Sequence, residues 1–354
     1  MIQYTNMLKV EKHGVILEPT NNLFERQAVL NPGVWQEGNN VHMFYRALDE
    51  DHCSTIGYAR LQGPTQVVQR SEKPVLVGEY DYESKGMEDP RIVKIGDIYH
   101  MFYVAHDGKN ALTAYATSYD LHHFVKQGII SPTMSYHEFD LLNDELQLKD
   151  AYSFFASYYE EGAGEDVLIW HKDVFPFPRK IQGQYALLHR ILPDMQIAFF
   201  KNFNQLKDNE YWWEQLKRLP EHVVLENKHW FETRSIGGGA PPIETKDGWL
   251  IIFHAVESRN KGRVYRACAA LLDKNNPLKV VARLHEPMFS PTEEWEKQGD
   301  VSNVVFPTGT ALFGDTLYIY YGAADKRIAA ASVSLQELIK EMKDPAKDHN
   351  DATA

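Results

Sequence analysis

The stretch Asp89–Ala105, DPRIVKIGDIYHMFYVA, decides how the chain is read. A proline stands near its start and a short apolar run follows. Gly96-Asp97 then supplies a tight polar turn, and a second apolar run is rich in aromatics. Two short strands about a turn is a hairpin signature. The pattern returns in NPGVWQEGNNVHMFYRA from Asn31, FPRKIQGQYALLHRI from Phe177, PPIETKDGWLIIFHAV from Pro241 and FPTGTALFGDTLYIYYGA from Phe306. Pro32, Pro90, Pro178, Pro242 and Pro307 anchor the copies. A further short strand follows each, as in TIGYARL, ALTAYATS, MQIAFF, VYRACAALL and RIAAASVSL, where small residues alternate with larger ones.

Repeats of this kind imply radially arranged four-stranded units, each of which cannot bury its apolar face alone. The expected fold is all-β, a five-bladed β-propeller with a helical excursion and a C-terminal helix, over a single domain at 1–343. The alternative is a β-sandwich with chance similarity between its hairpins. The long gap between Pro90 and Pro178 holds an acidic, aromatic insertion at about 133–166, expected to be a lid or a subunit contact. NQLKDNEYWWEQLKRLPEHV reads as helical up to Pro220. SLQELIKEMK opens with Ser334 and has Glu337 three residues on, a capping box that predicts a terminal helix. The polar end, 344–354, is expected to be a flexible tail.

Bulk properties limit the function. The 354 residues carry a formal charge of −12 with 44% hydrophobic and 12% aromatic side chains, an ordinary globular composition. A net acidic surface argues against nucleic acid or an anionic membrane as partner. Any anion site must therefore be built from a few cations held together. The two cysteines, Cys53 and Cys268, imply no disulfide framework. The N-terminal residues carry no signal-peptide pattern, and no apolar run is long enough to span a bilayer, so the expectation is cytoplasmic.

Strand ends and the loops above them would converge on one axis and bring Asn31 and Asp89 close together. Asp89 is the leading acid candidate, since a carboxylate beside a rigid turn in an aromatic pocket can act as a general acid. The plainer reading of Glu88 and Asp89 is a pair of turn residues, which Asp favours anyway. Arg46, Arg190 and His254 end predicted strands, and Lys172 with Asp173 precedes another. Arginine in an apolar strand is uncommon unless it is paired or binds a ligand. These cations therefore read either as buried ion pairs with Asp173 or Glu88, or as an oxyanion pocket. No His, Cys and Asp spacing suits a metal, and IGGGAPP from Ile236 lacks the Gly-Lys-Ser/Thr of a phosphate loop.

Taken together, GMEDPRI, KDVFPFPRKIQGQYALLHR, GGGAPPIETKDGWLIIFHAV, VYRACAALLD, NVVFPTGT and YIYYGAADKRIA resemble glycoside hydrolase family 130, from about Asn31 to Leu338. That family holds β-mannoside phosphorylases and some β-mannosidases. The resemblance implies a five-bladed propeller and an inverting reaction with a single acid, matching Asp89, whose proton reaches the glycosidic oxygen through a mannose hydroxyl. It implies phosphate-binding cations at Lys172, Arg190 and His254, with Tyr265 as a further phosphate contact. It implies mannose-binding positions at Asn31, Arg46, Asp173 and Asp325. Some relatives carry Arg where this chain has Lys172, which keeps the charge and loses the fork. Inorganic phosphate is the implied co-substrate, with no cofactor and no metal; the substrate is a β-mannooligosaccharide or mannosyl disaccharide, and the products are α-mannose 1-phosphate and a shortened sugar. Water-using hydrolysis, with Glu232 or Glu244 as candidate bases, and glycan binding without turnover are the competing readings. The insertion and the terminal helix are candidate contacts for a homo-oligomer.

Overall fold

The tight turns fall where polar residues interrupt the apolar runs. In the computed structural model, which describes residues 8–344, Glu37 pairs with Asn40, Ile95 with Ile98, Thr245 with Gly248 and Phe313 with Thr316. Gly38, Gly96 and Gly314 take φ of 59°, 61° and 62° at three of these turns, which costs glycine least.

In chain order the strands begin with β1 (Glu11–Leu17), then β2 (Ala28–Glu37), β3 (Asn40–Leu48), β4 (Ser54–Gln62) and β5 (Gln66–Arg70). Next come β6 (Gly86–Ile95), β7 (Ile98–His106), β8 (Ala111–Ser118) and β9 (Val125–Ile129). The insertion is a pair of helices, α1 (Tyr136–Leu146) and α2 (Ala151–Ala163). Then follow β10 (Lys172–Pro176), β11 (Tyr185–Ile191), β12 (Asp194–Phe200), α3 (Asn209–Lys217), α4 (Leu219–His222) and β13 (Val223–Leu225). β14 (Ser235–Thr245), β15 (Gly248–Arg259), β16 (Gly262–Leu272) and β17 (Val280–Arg283) lead to α5 (Glu294–Lys297). The chain closes with β18 (Val305–Phe313), β19 (Thr316–Ala323), β20 (Arg327–Ser334) and α6 (Leu335–Met342).

This overturns the expected all-β five-bladed propeller. Six α-helices are present among the described residues, and the strands form four sheets rather than five. Three sheets have four strands, in the orders β10-β11-β12-β13, β14-β15-β16-β17 and β1-β20-β19-β18. The fourth is counted as eight-stranded, because β4 pairs in parallel with β6 at Ser54 and Gly86 and so joins two hairpin units. None of these sheets closes on itself. Hairpin periodicity records side-chain alternation along a strand. It does not record which edge meets which, and that is why the sheet count failed.

The helical insertion was legible but unread. Ser135 accepts from the Glu138 amide at 3.1 Å while the Glu138 carboxylate accepts from the Ser135 amide at 2.8 Å, a reciprocal cap that starts α1. Tyr136, Phe139 and Leu142 then recur at helical spacing and are buried. The excursion near Pro220 also differs from expectation. It breaks at Arg218 and continues, with Pro220 in the first turn of α4, where its missing N–H costs nothing. The terminal helix forms as its sequence predicts, with Ser334 accepting from the Glu337 amide at 3.1 Å. Residues 345–354 of the expected tail lie outside the described residues. No helix among the described residues is long and apolar enough to cross a membrane.

The alternation of small and large residues explains the packing. In β20, Ala329 and Ala331 face one buried cluster with Leu317 and Ile319, while Ala330 faces another with Tyr320. Glycines permit the closest approaches between units. A Cβ on Gly33 would lie 2.5 Å from the Pro90 carbonyl oxygen, and one on Gly309 would lie 2.8 Å from that of Pro32. These contacts draw the starts of β2, β6 and β18 together.

Candidate active site

Each unit begins with a strand whose pairing slips. The register jumps between Leu30 and Gly33, between Glu88 and Arg91, and between Lys172 and Phe175. At these bulges Asn31, Asp89 and Asp173 take φ of 50°, 51° and 55°. Asn and Asp are the side chains that best tolerate the left-handed region, and a bulge re-aims the residue it carries. The bulges thus bring three polar residues from three strands into one cluster. In the third unit this position is Asp173 and not the Pro178 anchor expected from the repeats, since β10 has already ended at Pro176.

The predicted residues converge in two halves. In the first, Asn31 Nδ2 donates to Asp89 Oδ1 at 2.7 Å. Arg46 Nη2 lies 2.8 Å from Glu88 Oε1, and its Nη1 lies 3.9 Å from Asp89 Oδ1. Arg46 Nε donates to Ser54 Oγ at 2.8 Å. Lys172 Nζ reaches the other Glu88 oxygen at 3.2 Å and rides over the Trp170 ring, 4.7 Å from its centroid. In the second half, Arg190 Nε lies 2.5 Å from Asp173 Oδ2, a contact of charges without hydrogen-bond alignment. His254 Nε2 lies 3.9 Å from the same oxygen. Phe306 packs on His254 with centroids 4.3 Å apart, and Tyr265 stands 6.2 Å from both rings. Asp325, in the β19–β20 turn at φ 49°, senses Arg46 and Asp89 electrostatically.

Arg91 is the main residue the sequence reading missed. It is fully buried, donates to the Asp89 carbonyl at 2.9 Å and to the Gly239 carbonyl, and lies 3.8 Å from Asp173 Oδ1. It therefore joins the two halves. An arginine straight after the Asp-Pro bulge was the available signal. Glu88, read either as a turn residue or as an ion-pair partner of the cations, bridges Arg46 and Lys172. The ion-pair reading of the cations holds: Arg46 and Lys172 pair with Glu88, and Arg190 with Asp173.

Burial and neighbouring charge set the protonation states. Burial would raise Glu88, but Arg46 and Lys172 outweigh it and hold the carboxyl at about 2. Burial would likewise raise Asp173, yet Arg190, His254 and Arg91 keep it below the usual carboxylate range. Asp325 goes the other way, pushed up to about 6, chiefly by burial. Arg46 opposes that shift, and Asp89, Asp300 and Glu88 add to it. Burial pushes His254 down to about 3, with Arg190 and Arg91 assisting and Asp173 opposing. In the absence of a bound anion His254 is therefore favoured as the neutral imidazole, whereas the family resemblance implied a cation. In that form it can donate one hydrogen bond to a ligand.

The two glutamates considered as bases for water are engaged elsewhere. Glu232 is buried against Arg283, and Glu244 binds Arg179 at 2.7 Å and Lys274 at 3.0 Å. Among the described residues, no group of three or more His, Cys, Asp or Glu could hold a metal ion. An apolar cavity of about 250 Å³ lies further along the same strands, lined by Val34, Trp35, Ile92, Pro242 and Leu312, and contains none of the charged residues.

The buried histidines make the fold acid-sensitive. Burial drives His189 to about 3 and His171 well below its ordinary value, so both are neutral when folded, as is His254. The unfolded chain takes up these protons near pH 6.5, so their contribution is complete above that pH and is lost as pH falls toward 3. Each such histidine contributes a slope of roughly 1.4 kcal/mol per pH unit. Asp325 opposes this between about 6 and its ordinary 3.8, and Glu88 adds to it below 4.5. Urea midpoints are expected to fall clearly from pH 7.5 to pH 5.5. A flat profile over that interval would mean that these imidazoles are charged in the folded state.

The family model for glycoside hydrolase family 130, described as β-1,4-mannooligosaccharide phosphorylase, matches residues 10–344. The chain is 34% identical over 334 residues to the 1,2-β-oligomannan phosphorylase of Thermoanaerobacter sp. (strain X514), covering 92% of this chain and 96% of that protein. It is 34% identical over 331 residues to the β-1,2-mannobiose phosphorylase of the same organism, covering 89% and 93%. Its fold is similar to that of the β-1,2-mannobiose phosphorylase of Listeria innocua, solved with β-1,2-mannobiose, with a TM-score of 0.71 at 23% identity over 95% of this chain and 99% of that one.

Proposed function

The chain belongs to glycoside hydrolase family 130 as an enzyme of the β-mannoside phosphorylase type, and from that premise we propose that it removes the non-reducing mannose of a β-mannoside with inversion, as α-mannose 1-phosphate. A phosphate oxygen attacks the anomeric carbon as the glycosidic C–O bond breaks. The departing oxygen takes a proton originating at Asp89, relayed through a mannose hydroxyl. The sugar leaves one residue shorter, and phosphate is a co-substrate with no cofactor. Asn31, Arg46, Asp173 and Asp325 hold the mannose. Lys172, Arg190, neutral His254 and Tyr265 receive the phosphate.

The observation that carries this reading is the pairing of Glu88 and Asp173, the carboxylates set among the cations. Glu88 binds Arg46 and Lys172, and Asp173 binds Arg190. Neither is free to activate water, whereas an inverting hydrolase needs a second carboxylate for that task. Phosphate arrives ionised and needs only orientation and charge compensation. The relatives named above favour β-1,2-linked substrates, with β-1,4 linkage as the competitor. Incubating β-1,2- and β-1,4-mannooligosaccharides with and without phosphate tests the proposal. Mannose 1-phosphate formed only with phosphate is the expected product. Free mannose at equal rates in both tubes would replace the proposal with hydrolysis.

A smaller effect tests how Asp89 is held. A Cβ on Gly322 would lie 2.0 Å from Asn31 Oδ1 and 3.1 Å from its backbone nitrogen. Gly322→Ala should push the Asn31 amide off the Asp89 carboxylate. Misplacement on this scale lowers turnover by about a hundredfold at most. The expected result is a fall in kcat with little change in phosphate KM. Unchanged kcat would show that the Asn31–Asp89 bond is dispensable.

A further inference from the structure

The inner cluster is nearly balanced in charge. Arg46 and Lys172 share Glu88, Arg190 and Arg91 flank Asp173, and Asp89 and Asp325 add further acid. A phosphate dianion entering it meets cations that already have partners. Surplus positive charge lies one layer outward, on the side of Tyr265.

Arg234, just before β14, is half-buried, with its guanidinium 5.1 Å from the Phe155 ring and 5.4 Å from the Tyr158 ring of α2. Arg263, exposed at the start of β16, lies close enough to Tyr265 and Tyr158 for both to raise its pKa. Among the described residues no carboxylate forms a salt bridge with either arginine; Arg263 and the tyrosines 158, 159 and 265 act on Arg234, and the tyrosines 158 and 265 act on Arg263. Burial and the Arg263 charge both lower the Arg234 pKa, as expected for neighbouring cations with no counter-ion. Arg263 also lines a cavity of about 590 Å³ with Arg259, Lys261 and Asn303. Glu257 neutralises Arg259 at 2.9 Å, so Arg263 and Lys261 are its unbalanced charges. The Tyr265 amide donates to the Asn303 carbonyl at 3.0 Å, which fixes this cavity against the strand that carries Tyr265.

Two neighbouring arginines without acids, one of them lining a polar cavity and the other held against the α2 aromatics beside it, form a setting suited to a doubly charged oxyanion. We infer that Arg234 and Arg263 form an outer anion site that takes a phosphate dianion, free or as the monoester of a sugar 1-phosphate, between solvent and the inner cations Lys172 and Arg190. The identity of the ligand rests on the phosphorolysis reading. The site itself rests on the unpaired arginines and the cavity. Helix α2, through Tyr158, gives the insertion a part in building it.

The test is the double variant Arg234→Gln/Arg263→Gln in the full chain, with Tyr158→Phe as control. Tyr158→Phe removes a hydroxyl that acts on Arg263 and leaves both charges in place. The double variant should raise the KM for inorganic phosphate about tenfold or more with kcat within twofold, while Tyr158→Phe stays near wild type. KM for the sugar 1-phosphate in the reverse direction separates the sources: a rise there assigns the monoester to the site, and a rise for inorganic phosphate alone assigns the free anion. A double variant that melts like the wild type and keeps its phosphate KM within twofold overturns the inference. So does a Tyr158→Phe variant that reproduces the whole KM effect, since the arginines would then act only by docking α2. If the double variant does not fold, the exposed Arg263→Gln alone gives the same comparison. Calorimetric titration with inorganic phosphate in the absence of sugar reads binding apart from turnover. A lower stoichiometry or affinity in the double variant than in the wild type supports the site even where the wild type proves to be a hydrolase, and an isotherm identical to the wild type overturns it.

Discussion

Asp89→Asn is expected to lose phosphorolysis by about a hundred- to ten-thousandfold, the range for removal of a general acid, while the protein folds normally. Asparagine is nearly isosteric and tolerates the left-handed φ of 51° as aspartate does. The backbone contact from Arg91 to the Asp89 carbonyl is untouched. What changes is the proton, together with the anionic acceptor for the Asn31 amide. Two amides can still bond each other, so the geometry persists and the loss falls on kcat. Activated substrates separate the roles further. A β-mannoside whose leaving group needs no proton should recover most of the lost rate. A variant with wild-type kcat would remove Asp89 from the mechanism, and Asp325, held at about 6 by burial, would be the next acid to examine.

Arg190→Ala should be the most damaging change on the phosphate side, and in two separable ways. It strips Asp173 of its nearest cation. The remaining neighbours are Arg91 at 3.8 Å, the Lys172 charge and His254, a ring favoured as neutral. Removing one partner of a buried ion pair costs about 3–5 kcal/mol, because the other charge is left uncompensated. The melting temperature should drop by many degrees and phosphate saturation should be lost. Arg190→Ala/Asp173→Asn relieves the stranded charge, so it should regain much of the stability and none of the phosphate affinity. If both variants saturate with phosphate like the wild type, the anion is held elsewhere, and the Arg234–Arg263 pair becomes its main seat.

Much of this was legible in the sequence, and the reasons for the rest are specific. Hairpins could be read because Gly-Asp and Gly-Asn turns punctuate apolar runs. The cluster of Asn31, Arg46, Asp89, Asp173 and Arg190 could be read because charges rarely interrupt such runs without partners. Sheet boundaries could not be read, since the Ser54–Gly86 pairing that merges two units is a backbone event. The third anchor was misread because Pro178 resembles Pro90 in composition, while the bulge follows the residue able to take positive φ, Asp173. The neutrality of His254 was out of reach because burial is a property of the packed fold. Arg234 and Arg263 were overlooked because an arginine without a partner looks, in sequence, like any other.

The bulges at Asn31, Asp89 and Asp173 also restrict what each position can become. A backbone held at φ near +50° disfavours branched and bulky side chains and favours asparagine, aspartate and glycine, although Gln182 and Ala324 also adopt it in this chain. The conformational preference thus biases the chemistry of the site toward a three-letter alphabet of acid, amide or nothing. Exchanging Asn for Asp at any of the three alters the charge of the cluster while keeping a side chain that tolerates this φ. Variation within that alphabet gives this scaffold a short route from one reaction to another.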